Sequence, residues 1–98
     1  MFVVRDIVRC KPGKSRQVAE LFKSAIGLMQ GDGGSRNARV LLDMVADYWT
    51  VVLESDVEDL AEFERQMEAY ANRQDIRKAM EGYVDLVEGG RREVFRVV

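Results

Sequence analysis

The 98-residue chain carries 15 basic and 17 acidic side chains, one cysteine and no histidine, and 47% of it is hydrophobic. That length suits one domain over residues 1–98, and the apolar share is too high for a disordered chain. A net charge of −2 speaks against nucleic acid as a partner, no run approaches the ~20 apolar residues of a membrane span, and the missing histidine removes the commonest general base and zinc ligand.

Residues 2–10 predict a strand with Phe2, Val4, Asp6, Val8 and Cys10 on one face and Val3, Arg5, Ile7 and Arg9 on the other. Pro12-Gly13 ends it. Apolar side chains at Val18, Leu21, Phe22, Ala25, Leu28 and Met29 predict a helix over 14–29 with one buried stripe. The glycine-rich stretch QGDGGSRN, 30–37, predicts a mobile loop; it runs from helix to strand, the reverse of a phosphate loop. Residues 39–45 and 48–55 predict two strands joined by a hairpin at Ala46-Asp47. Val40, Leu42 and Met44 share a face of the first, and Trp49, Val51 and Leu53 share a face of the second. Ser55-Asp56-Val57-Glu58 reads as a capping box for a helix that kinks near Asn72. A second helical stripe, Ile76, Met80, Tyr83, Val84 and Val87, stops at Gly89-Gly90. Residues 91–98 predict the last strand, with Phe95 and Val97 on one face and Val94, Arg96 and Val98 on the other. The acidic run from Glu54 to Glu68 reads as a solvated helix face.

The order β-α-β-β-α-α-β predicts an α+β, ferredoxin-like fold whose four-stranded antiparallel sheet has the spatial order 4-1-3-2. Helices can cover one face only. The other face keeps Val3, Ile7, Leu41, Val45, Val52, Val94 and Val98 beside Arg5, Arg9, Arg39, Asp43, Glu54 and Arg96. A face that apolar implies a partner, and a second copy of the chain fits it. The expected contact set includes Arg5, Ile7, Arg9, Asp43, Val52, Glu54 and Arg96. An RNA-recognition domain shares the element order but needs aromatic side chains on the open faces of its central strands, where this chain offers only Tyr48.

The strand ending R-C-K-P-G-K, the stretch V-V-L-E-S-D-V-E-D-L-A-E-F-E entering the second helix and the ending G-R-R-E-V-F-R-V-V resemble the dimeric α/β-barrel superfamily, NIPSNAP-type and antibiotic-biosynthesis-monooxygenase-type members above all. The resemblance implies a homodimeric barrel closed by two facing sheets, with helices outside and a ligand pocket between sheet and helices. Asp6 precedes Gly13 by the spacing at which haem-degrading members carry a pocket asparagine. Those members also need a pocket histidine, which this chain lacks. Monooxygenase-type members surround an aromatic substrate with Asn, Trp and Arg or Tyr, so Trp49, Tyr70 and Tyr83 join Asp6 as candidate pocket residues. Their helical and strand positions suit a core equally well.

Asp6, alone among apolar neighbours, must be hydrogen-bonded or have its pKa raised; it is either a structural carboxylate paired with a helix backbone or an arginine, or a pocket residue. Asp6 and Trp49 fall on neighbouring strands and the same face, which predicts that they edge one small pocket. Cys10 reads as a small buried hydrophobe, and its single occurrence suits a reducing compartment, hence the cytoplasm. No metal and no cofactor is expected. The leading functional reading is a small-molecule-binding protein, with a cofactor-free monooxygenase-type enzyme and a protein-interaction or regulatory module as alternatives. Whether the chain catalyses anything stays open at this stage.

Overall fold

The computed structural model describes residues 1–30 and 36–98. In chain order the elements are β1 (Phe2–Cys10), α1 (Ser15–Gln30), β2 (Arg36–Leu42), β3 (Thr50–Val57), α2 (Leu60–Ala71), α3 (Gln74–Ala79), a 3-10 turn (Tyr83–Leu86) and β4 (Val87–Arg96). All strand pairs are antiparallel and the sheet order is β2-β3-β1-β4, the expected ferredoxin-like arrangement. Most of the glycine-rich stretch predicted as a mobile loop lies outside the described residues.

Strand alternation sets the core. Val4, Val8 and Cys10 of β1 and Val51 of β3 are buried with Val18, Ala19, Phe22, Ala25 and Ile26 of α1. Of the stripe read from the sequence, Val18, Phe22 and Ala25 are buried; Ala19 and Ile26 join them, while Leu21, Leu28 and Met29 stay partly exposed, and this face of α1 lies along the even-numbered face of β1. Cys10 sits inside this cluster, and burial, with the Asp43 carboxylate second, pushes its thiol pKa up.

The structure corrects four expectations. The hairpin does not turn at Ala46-Asp47. β2 ends at Leu42 and β3 begins at Thr50, and Asp43 closes the longer loop: its Oδ1 accepts from Thr50 N at 3.0 Å while its own N–H donates to Thr50 O at 3.2 Å. Tyr48 and Trp49 both hold left-handed backbone, φ 48° and 52°, so neither continues the strand.

The capping box is displaced too. β3 runs on through Asp56 and Val57, opposite Val3 and Phe2, and the cap is Asp59, whose carboxylate accepts from Glu62 N at 2.6 Å. A second D-x-x-E pattern four residues on allows this, because pairing and burying Val57 outweighs an earlier helix start.

Gly89-Gly90 is not a helix stop. α3 ends at Ala79, Gly82 takes the left-handed turn at φ 88° and both later glycines lie inside β4. The reason is steric: a Cβ on Gly90 would fall 2.4 Å from the Ile7 carbonyl oxygen of β1.

The faces of β4 are the fourth correction. Val94 stands opposite Val4 on the helix side and Phe95 opposite Val3 on the open side. Arg96, expected on the open face, stands opposite Phe2, and its guanidinium lies 5.6 Å from that ring on the helix side. Val45, also expected there, is fully exposed in the β2–β3 loop.

Gly90→Ala is expected to destabilise the fold by about 1–3 kcal/mol, since β4 must move off β1 to admit the methyl group. Urea denaturation of Gly89→Ala, whose Cβ would meet only the flexible end of Arg9 at 3.5 Å, supplies the control.

Candidate functional site

Asp6 is the one acid among the even-numbered, helix-facing residues of β1. The antiparallel register sets Arg92 of β4 directly opposite it and Leu53 of β3 on its other flank. Arg92 Nε donates to Asp6 Oδ1 at 2.5 Å, and Nη2 reaches Oδ2 at 3.4 Å. The guanidinium lies 5.0 Å from the Phe63 ring of α2, with Nη2 at 4.0 Å from Met67 Sδ. An ion pair stacked on a ring is held on two sides, so the fork of Arg92 has a defined direction.

The pair separates two spaces. On the α2 side is a small void of about 40 Å³ bounded by Val4, Ile26, Met29, Leu53, Phe63 and Met67. On the α3 side is an open cleft of about 460 Å³, walled by Val8, Phe22, Leu53, Met80, Tyr83 and Val87 and by the strand Gly89 to Arg92. The Tyr83 ring meets Phe22 with centroids 5.6 Å apart and planes tilted 42°. Burial first, then the Asp6 carboxylate and Cys10, raises the Tyr83 pKa, so its hydroxyl stays a donor at neutral pH.

The open sheet face is organised in rows. One row runs Arg39, Glu54, Arg5, Glu93 across β2, β3, β1 and β4, alternating in sign. Glu54 is only 8% exposed; it accepts from Arg5 Nε at 2.9 Å and from Arg39 Nη2 at 2.6 Å. The Arg39 hydrogen bond is the largest influence on its carboxyl pKa; with help from Arg5 it outweighs desolvation and holds that pKa below the ordinary glutamate range. The next row, Leu41, Val52, Ile7, Arg91, is apolar over three strands.

Among the described residues no group of three or more His, Cys, Asp or Glu side chains could hold a metal ion. No described helix is long and apolar enough to cross a membrane.

No protein-family model matches the chain, and no curated protein does. Solved structures do. A NIPSNAP family protein from Agrobacterium tumefaciens superposes with a TM-score of 0.84 at 13% identity, covering 99% of this chain and 92% of that one. A NIPSNAP domain protein from Burkholderia xenovorans gives 0.85 at 16%, covering 100% and 95%. A Chloroflexus aurantiacus protein named for antibiotic biosynthesis monooxygenases gives 0.74 at 11%, covering 99% and 92%. This chain has their fold. At such identities the likeness extends to the backbone and assigns no side chain a role.

Of the four candidate pocket residues, the structure brings Asp6 and Tyr83 to one cleft. Trp49, 43% exposed, lies instead at an opening of about 490 Å³ beyond the sheet's end, with Gly13, Ser15, Arg16, Leu42, Asp43 and Tyr48. Its left-handed backbone takes it out of the register that alternation assumed. Tyr70 is buried on α2 and lines neither cleft, and its hydroxyl finds no hydrogen-bond partner among the described residues. Arg5, Ile7, Val52 and Glu54 lie together on the open face. Arg9, on the same face, pairs with Glu88 at 3.6 Å, and Asp43 is occupied in closing the β2–β3 loop. Sequence reading did not single out Arg92 or Phe22 for the site. A partial signal existed: the lone carboxylate of Asp6 called for a hydrogen-bonding partner, and Arg92 was available in the last strand.

A lowered pKa for Glu54 fixes the sign of a pH effect. Its stabilisation is present above the unfolded glutamate value, about 4.3, and is lost as pH falls through the lower folded value. The stability difference between the unsubstituted chain and Glu54→Gln, measured by urea denaturation, should therefore shrink as pH drops below about 4.

Proposed function

We propose that the chain works as a homodimer that binds a small molecule, aromatic ones included, between its sheet and helices. The observation that carries this reading is the cleft of about 460 Å³ in which an ion pair and a tyrosine join an apolar wall. An apolar wall with a few convergent polar groups is the usual make-up of a ligand site. Binding is favoured over catalysis. Among the described side chains lining the cleft, Asp6 alone offers a carboxylate to take a proton, and it is already engaged by Arg92.

The dimer is supported by the open sheet face. Leu41 and Phe95 remain 38% and 48% exposed there, beside Val52 and Ile7, while the charges in the same face already pair with each other. A second copy laid on this face would bury the apolar row without stranding a charge. The buried free thiol of Cys10 agrees with work in a reducing compartment, the cytoplasm.

Sedimentation at micromolar concentration should give a dimer, and Val52→Lys, which puts an unpaired charge into the apolar row, should shift it to monomer. In the cleft, a set of neutral and charged aromatic fragments should shift the methyl signals of Val8, Met80 and Val87. Met80→Trp, which fills the cleft, should abolish those shifts. Shifts confined to residues 44–49 would overturn the assignment.

A further inference from the structure

We infer that the cleft selects an anion: a planar, largely apolar molecule bearing one carboxylate, or an acidic group of like size and charge, anchored by Arg92. This deepens the cleft reading and rests on it. The lining of the cleft carries the Arg92 guanidinium and the single carboxylate of Asp6, while the Arg91 side chain stands on the open face, opposite Ile7. Both oxygens of that carboxylate already face Arg92, at 2.5 and 3.4 Å, so the cleft offers no unengaged carboxylate acceptor among its described side chains.

Donors, by contrast, stand free. Arg92 commits Nε and Nη2, and its Nη1 makes no hydrogen bond among the described residues. Tyr83 lines the cleft and makes no side-chain hydrogen bond among the described residues; its hydroxyl is protonated at neutral pH, and burial raises its pKa further. A site rich in unused donors rejects cations and rewards an acceptor with negative charge.

Preorganisation strengthens the point. Arg92 is fixed by Asp6 on one side and by Phe63 on the other, so little rotamer freedom remains to be lost when its outer N–H groups take a ligand oxygen. With 47% of its side chain exposed, it remains open to an incoming group. The body of the ligand would lie along Phe22 and Tyr83, whose rings form an aromatic corner of the wall.

The test uses two fluorescent probes of nearly the same shape, 8-anilinonaphthalene-1-sulfonate, an anion, and N-phenyl-1-naphthylamine, which is neutral. Methyl shifts at Val8, Met80 and Val87 locate each probe. The anion is expected to bind about tenfold more tightly than the neutral probe. Arg92→Met should remove that preference and leave the neutral probe unchanged. Because Arg92→Met strands Asp6, the double variant Asp6→Asn/Arg92→Met is measured beside it and should behave alike. Asp6→Asn alone should tighten the anion several-fold, since the competing carboxylate is gone. Equal affinities in the unsubstituted chain, or a preference that survives the double variant, would overturn the anion selectivity while leaving the cleft reading intact. Binding of neither probe at the three methyl groups would overturn both.

Discussion

β1 is hydrogen-bonded along both edges, to β3 on one side and β4 on the other, and that constraint organises the rest of the molecule. A central strand with two fixed registers allows no slip, because a one-residue shift would exchange its buried and exposed sets. Val4, Val8 and Cys10 therefore dictate which face α1 covers, and Val51 follows from its place opposite Val8. The same registers deliver the polar chemistry. Asp6 is carried to the helix side with its neighbours and meets Arg92 because β4 is paired at that level. On the opposite face Arg5 is carried to Glu54.

The two carboxylates show how environment divides similar groups. Glu54 lies on the face without helices, yet it is buried, because two arginines from flanking strands lie over it and their hydrogen bonds outweigh desolvation. Its charge is spent inside the sheet, which leaves the face suited to contact with an equally neutralised surface. Asp6 lies on the covered face yet keeps access to solvent through the cleft, with one arginine as partner. One pairing closes a surface; the other leaves a cation with unused donors beside an apolar wall.

Legibility in the sequence followed the strength of the periodic signal. The bounds of β1 and α1 were readable almost to the residue, because alternation over nine positions and a helical period leave no other assignment, although α1 buries Ala19 and Ile26 where Leu21, Leu28 and Met29 were expected. The sheet order followed from the order of elements. What failed was local. Two neighbouring D/S-x-x-E patterns can each cap α2, and only the pairing of Val57 with Phe2 decides between them. Alternation carried Trp49 into β3, where a left-handed backbone excludes it. The pocket suffered most from this, since Trp49 was expected to form the edge facing Asp6. Asp6 survived because an isolated acid among apolar side chains is conspicuous in any register. Its partner did not, since an arginine among Arg91, Arg92 and Arg96 looks like any other until β4 has its register.

Gly89 and Gly90 join the two halves of the account. Both read as a helix terminator in the sequence, yet Gly90 is demanded by the close approach of β4 to the Ile7 carbonyl. It stands opposite Val8, on the helix side. A side chain there would stand on the face of the sheet that lines the cleft, next to Val8. Gly90 thus serves both the strand contact and the lining of the cleft. A chain that relieved the strand contact by moving β4 outward would carry Arg92 away from Asp6 and Phe63, and the cleft would lose its fixed cation along with its shape.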